Sequence, residues 1–197
     1  MIRNTRFFRV AATLLGMFAI ANPASAQEGL KVGDPAPGFQ AQDDSGKDWM
    51  SSEHVGKKVI VVYFYPADMT GGCTKQACGF RDDMKSLVEK GVEVVGVSGD
   101  SVKNHQFFKK AHELNFALLA DTNGKVAEAF GVPVTPGEKT VKAVIDGKEE
   151  ALTRTLTTAR WTFVINKSGK IASINKMVKA AEDSKAIIEL VNSLSAQ

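Results

Sequence analysis

Apolar and polar positions along this chain fall into blocks that alternate between two periods. Lys58 to Phe64 (KVIVVYF) and Val92 to Ser98 (VEVVGVS) are apolar on both faces, the mark of strands buried on both sides of a sheet. Between them, Phe80, Met84, Leu87 and Val88 recur at helical spacing. This predicts a helix over Thr70–Glu89, with Thr70 as a cap and Lys90-Gly91 as the stop. Ser101–Leu114 reads as an amphipathic helix, Phe116–Leu119 as a short strand and Gly124–Phe130 as a further helix. The Pro/Gly-rich stretch Val132–Gly137 predicts a turn. Thr140–Leu156 alternates around Asp146-Gly147, a strong hairpin signal. Trp161–Asn166 and Lys170–Asn175 form a second predicted hairpin around Lys167-Ser168-Gly169, and Ala180–Leu194 a closing helix. Gln27–Ser51 is rich in Gly, Asp, Pro and Ser, with room for one short hairpin around Gly46. Strands alternating with helices, then a hairpin and a last helix, predict one α/β domain with a mixed central sheet and flanking helices, in the order of a thioredoxin-like fold.

The first 26 residues follow a different pattern. Arg3, Arg6 and Arg9 precede an apolar stretch, Val10–Ala21, of 12 residues. Asn22-Pro23 and the small residues Ala24-Ser25-Ala26 follow it. A bilayer span needs about 20 residues. The layout is that of a secretory signal cleaved after Ala26, with export, in a bacterium to the periplasm, as the expectation. An uncleaved anchor or an inert tail is the plainer alternative.

The charge balance changes with that segment. The whole chain carries 25 basic and 22 acidic residues, a net +3. Removing three arginines leaves 22 of each over residues 27–197, so the domain has no net field to gather nucleic acid or a membrane surface. A hydrophobic content of 44% is enough to bury a core without disulfide support.

Candidate chemistry concentrates in residues 63–82. The chain holds two cysteines, Cys73 and Cys78. A strand that ends at Pro66 leads through Gly71-Gly72 into the first turn of a helix carrying Cys73. The carboxyl end of a strand is where open α/β sheets bind ligands. Unpaired N–H groups at a helix start favour a thiolate, and a thiolate is the better nucleophile. Gly71 and Gly72 allow close backbone approach, and Thr70 places a hydroxyl nearby to donate to the sulfur or a bound oxygen. Cysteines five residues apart on a helix are separated by roughly 7.5 Å of rise and ~140° of rotation, beyond reach of a disulfide. If they bond, the first turns must unwind. Four intervening residues is also not the spacing of a thioredoxin-type reductase. Two thiolates alone would need partners, and His54, His105 and His112 show no paired ligand spacing, which argues against a metal site; His105 and His112 are most simply exposed positions on a charged helix. A structural staple and a redox-sensing or chaperone module remain the competing readings.

This segment closely resembles peroxiredoxins of the bacterioferritin-comigratory, or peroxiredoxin Q, group. The pattern Pro-x-x-x-Thr-x-x-Cys is met by Pro66, Thr70 and Cys73, and the C-x4-C spacing of Gln76-Ala77-Cys78-Gly79, followed by Arg81-Asp82, is typical of that group. The resemblance extends to Gly96-Val97-Ser98 and Asp121. It implies a thiol-dependent peroxidase without metal, haem or flavin. In such an enzyme Cys73 attacks a hydroperoxide and Cys78 resolves the product as an intramolecular disulfide. A thioredoxin-like dithiol protein reduces that bridge, and no dimer is needed. The resemblance also makes Arg160, just before Trp161-Thr162-Phe163-Val164-Ile165, the active-site arginine, with Thr70, Gly72 and Cys73 holding the peroxide. Arg154 is the weaker candidate, and Arg81 is expected to brace the helix. Two departures stand out: Gly71 occupies a position where many relatives have Pro, and Val134–Thr158 is longer than in compact relatives, either as decoration or as a surface that narrows substrate entry.

Overall fold

The computed structural model describes residues 29–195 together with Met1. The leader expected over residues 1–26 lies outside the described residues, apart from Met1. A seven-stranded mixed sheet has the order β2-β1-β5-β4-β3-β8-β9. Its strands are β1 (Gln40–Asp43), β2 (Asp48–Met50), β3 (Val59–Phe64), β4 (Val92–Ser98), β5 (Ala117–Ala120), β8 (Trp161–Ile165) and β9 (Ile171–Asn175). At its centre β3 pairs in parallel with β4 and antiparallel with β8. The helices are α1 (Gly71–Glu89), α2 (Val102–His112), α3 (Lys125–Ala129) and α4 (Asp183–Ser195).

The strand period sorts β3 between two cores. Val61, Tyr63 and Tyr65 face one cluster with Cys73, Ala77 and Phe80 of α1, Phe108 of α2, and Ile187 and Val191 of α4. Ile60, Val62 and Phe64 face the other, with Phe39, Trp49, Phe130 and Phe163. Alternation on a strand buried on both faces leaves no polar position, which is why the segment reads as an unbroken apolar run. The nucleophile candidate thus sits at the rim of the α1–α4 core.

β6 (Val134–Ile145) and β7 (Lys148–Thr158) form a separate two-stranded ribbon. It turns at Asp146 and Gly147, both with positive φ, as a two-residue hairpin of matching twist requires. The ribbon differs from the sequence expectation at its base, because Val134–Gly137 belongs to strand β6 and is not a turn. Pro136 pairs with Leu156 at the edge of a register shift between Pro136 and Lys139, the kind of irregularity at which a strand accommodates proline. The ribbon is docked onto the domain. Leu156 lies so close to Gly99 that a Cβ there would come within 2.4 Å of its side chain. The Asn104 amide donates to the Thr153 carbonyl at 3.1 Å, and Thr158 Oγ1 donates to the Tyr65 carbonyl at 2.8 Å.

Candidate active site

The site is built where β3 runs out. Tyr65 still hydrogen-bonds along β4, its N–H donating to the Val97 carbonyl, and half-buried Pro66 then turns the chain away from the sheet. The connecting turn contains Met69 at φ 59° and ends at Thr70, whose extended backbone (φ −93°, ψ 145°) starts helix α1. Thr70 occupies the cap position but makes no capping bond with its side chain. Its hydroxyl donates to the Ala67 carbonyl at 3.0 Å instead. The hydroxyl proton expected to go to the sulfur or to a bound oxygen is therefore committed to the backbone here, and the oxygen keeps its lone pairs. With no side-chain cap, the first-turn N–H groups keep the partial positive charge that draws an anion.

Cys73 lies in that first turn, 1% exposed, and Arg160 Nη2 donates to its Sγ at 3.2 Å. Arg160 is supplied by the residue immediately before β8, the strand hydrogen-bonded beside β3, so the sheet itself sets this contact. Gly72 lies directly beside the guanidinium: a Cβ at that position would touch Nη2 at 3.4 Å, an ordinary contact. Gly71, by contrast, faces open space. Cys78 is half-buried on the same unbroken helix, and both cysteines are free thiols.

The guanidinium is itself held. Arg160 Nη1 donates to Gln76 Oε1 in a short contact. Gln76 Nε2 donates to Asp183 Oδ2 at 2.7 Å, and Thr162 Oγ1 donates to the same oxygen at 2.8 Å. Burial pushes the Asp183 carboxyl above its ordinary pKa, although both donors and the Arg160 charge pull the other way. The structure brings Arg160 to Cys73 beside Thr70 and Gly72, the residues the sequence singled out, and adds Gln76 and Asp183, which it did not.

A second polar cluster lies behind the turn. Asp68, fully buried, accepts from His105 Nδ1 and from the Tyr65 hydroxyl, each at 2.8 Å. Its N–H donates to Asp100 Oδ2 at 3.0 Å. Asp100 also accepts from Ser98 Oγ and from the Asn104 amide. His105 is thus not an exposed position on a charged helix, since its exposure is 0%. Burial opposes a charge on its ring, but the Asp68 carboxylate outweighs that and holds its pKa above the ordinary imidazole value. His112 is only half-buried and packs edge-on against Phe108. Among the described residues no group of three His, Cys, Asp or Glu side chains is arranged to hold a metal ion.

The remaining arginines are placed elsewhere. Arg81 donates to the His112 carbonyl at 2.7 Å and pairs with Asp82, so it ties α1 to the end of α2. Arg154, 8% exposed on β7, donates to Thr157 Oγ1 and belongs to the ribbon.

Comparison with known proteins agrees with this geometry. The model of the AhpC/TSA family matches residues 32–174. A peroxiredoxin bcp from Coxiella burnetii, its name qualified as putative, is 42% identical over 150 residues, covering 76% of this chain and 91% of its own. Peroxiredoxin Q of rice chloroplasts is 46% identical over 116 residues, of which this chain spans 53% of the relative's length. Among solved structures, peroxidoxin BcpB from Mycobacterium tuberculosis superposes with a TM-score of 0.69 at 30% identity, covering 84% of this chain and 98% of its own. The bacterioferritin comigratory protein of Xanthomonas campestris, whose structures concern its alkyl peroxide reduction, gives 0.65 at 25% identity over 80% and 92%. The chain belongs to the AhpC/TSA family and is a peroxiredoxin, a thiol-dependent peroxidase with a thioredoxin-like fold.

Proposed function

We propose that Cys73 is the peroxidatic cysteine and Cys78 the resolving cysteine of a hydroperoxide reductase that completes its cycle within one chain. The observation that carries this reading is the 3.2 Å contact from Arg160 to Cys73 Sγ at the uncapped start of α1. A guanidinium beside the sulfur and unpaired helix N–H groups both favour a thiolate. The thiolate attacks the terminal oxygen of ROOH. An S–O bond forms, the O–O bond breaks, and the leaving RO⁻ takes a proton to give alcohol or water, so the sulfur is oxidised by two electrons to a sulfenic acid. Arg160 and the Cys73 N–H donate toward the oxygen onto which charge moves, while the Thr70 oxygen, its own proton committed to Ala67, accepts from the O–H of the hydroperoxide. Gly72 keeps that approach free of a side chain.

Cys78 then condenses with the sulfenic acid, expelling water and forming an S–S bond, after the first turns of α1 unwind. A thioredoxin-like dithiol protein supplies the two electrons that restore both thiols. The reaction calls for no metal, haem or flavin, and resolution inside one chain lets a monomer turn over. Residues 1–26 act as an export signal; N-terminal sequencing of the exported protein is expected to begin at Gln27, and a mature chain starting at Met1 refutes export by cleavage.

The cysteines are tested by mixing reduced protein with a small excess of hydrogen peroxide. Wild type is expected to lose both thiols quickly and to show a Cys73–Cys78 bridge by mass spectrometry. Cys73→Ser is expected to consume none. Cys78→Ser should consume about one equivalent and stall, and its sustained turnover with a dithiol protein would remove the resolving role.

A further inference from the structure

Gln76 is one of the four residues between Cys73 and Cys78, so it lies within the segment that must change shape for the two sulfurs to meet. Its side chain is 1% exposed and tied at both ends. The carbonyl oxygen accepts from Arg160, and the amide donates at 2.7 Å to Asp183. Asp183 is the first residue of α4, is 3% exposed and is anchored from a third element by Thr162 of β8 at 2.8 Å. A helical rise of ~1.5 Å per residue holds the two cysteines roughly 7.5 Å apart along the axis. Closing them to disulfide distance displaces the backbone of residues 74–77 by ångströms, whereas a hydrogen bond tolerates tenths. The Gln76–Asp183 bond therefore cannot survive resolution. Breaking it leaves a buried carboxylate short of one of two donors, a cost borne only by the unwound form.

We propose that Asp183 is a positioning residue that latches the first turns of α1 in the helical form, and so sets how long the Cys73 sulfenic acid persists before Cys78 captures it. The latch acts on a competition. The sulfenic acid either condenses with Cys78, releasing water, or meets a second ROOH, which is reduced to ROH as the sulfur is oxidised to sulfinic acid. A stronger latch favours the second course and a weaker one the first. The neighbouring tie from the same end of α4, Ser184 Oγ donating to Asp83 at 2.7 Å, grips α1 beyond Cys78. It holds helix against helix but does not cross the segment that unwinds.

The inference rests on the assignment of Cys73 and Cys78, and its test separates the two. Reduced wild type, Asp183→Ala, Asp183→Asn and Ser184→Ala are mixed with excess hydrogen peroxide. Cys73 oxidation and disulfide formation are followed as separate phases by stopped flow, and the sulfinic product is weighed by mass spectrometry. Absence of a fast first phase in wild type overturns the cysteine assignment itself. With that phase present, Asp183→Ala is expected to form the disulfide about five-fold faster and to yield correspondingly less sulfinic acid, a gain of the size one buried hydrogen bond supplies. Asp183→Asn keeps an acceptor oxygen and is expected to stay within about two-fold of wild type, as is Ser184→Ala. The latch is overturned if Asp183→Ala changes disulfide formation by less than about two-fold or slows it, or if either of the other variants matches it. Should Asp183→Ala not fold, Asp183→Ser, too short to reach Gln76, takes its place with the same expected outcome.

Discussion

Two polar clusters flank the turn that leads into α1, and they are built to opposite specifications. The one in front runs from Cys73 through Arg160 and Gln76 to Asp183, links α1, β8 and α4, and is buried except at half-buried Arg160. The one behind joins Asp68, His105, Tyr65 and Asp100, and each of these is at most 1% exposed. The front cluster touches the reacting sulfur and includes a residue that has to move during resolution. The rear cluster touches no reacting atom and fixes the β3–α1 turn from which that movement starts. A helix that unwinds reversibly needs a hinge that does not, and the placement of the two clusters, one crossing the segment that unwinds and one behind it, divides those duties.

The comparison breaks most visibly at the rear. Asp68→Ala strands His105 in a fully buried site. It is expected to cost about 3–5 kcal/mol of folding stability in denaturant titrations, while peroxide consumption per folded molecule changes far less. At the front the order reverses. Arg160→Ala is expected to slow Cys73 oxidation about a hundred- to a thousand-fold in stopped flow, with a modest change in stability. Equal effects of the two substitutions on rate would erase the distinction.

The pH response sharpens it further. The folded state keeps a proton on His105 that the unfolded chain releases above its ordinary pKa of about 6.5. Stability from this pair is therefore fully present below about pH 6.5 and falls as pH rises to the raised value, by at most ~1.4 kcal/mol per pH unit. In denaturation across that range wild type is expected to lose stability relative to His105→Gln as pH rises; His112, whose pKa is lowered by burial and by Arg81, contributes the opposite trend to both proteins and cancels in the difference. The smallest effect belongs to Gly71, the first helical position, with open space around it and an extended Thr70 before it. Gly71→Pro is expected to add about 0.4–1 kcal/mol in thermal melts, because Pro suits that position and restricts the unfolded chain.

What could be read from the chain was local. Buried strands β3 and β4, helix α1 and the Asp146-Gly147 turn announce themselves through period and turn chemistry within a few residues. The base of the ribbon did not, because Pro136 signals a turn unless the strand is known to carry a register shift there. The burial of His105 is not legible because Lys103, Lys109 and Lys110 mark its amphipathic helix as charged, while its partner lies 37 positions away in a loop. Asp183 is 107 positions from Gln76, and nothing local marks a carboxylate at the start of a surface-looking helix as the anchor of an active-site arginine. Cys73 and Thr70 were legible from the strand end, the glycine turn and the helix start, whereas Arg160, 87 positions from Cys73, was legible only because the sequence around it resembles a known family.

The unequal shielding of the two sulfurs has a practical side. With Cys73 at 1% exposure and Cys78 half-buried on the same intact helix, a bulky maleimide finds Cys78 first. A dye attached there leaves the attacking sulfur in place but removes the thiol that would relieve it. Labelled in this way and given no more than one equivalent of peroxide, the protein becomes a single-use recorder, in which each molecule stores one encounter as a sulfenic acid that a dimedone-type tag can later count.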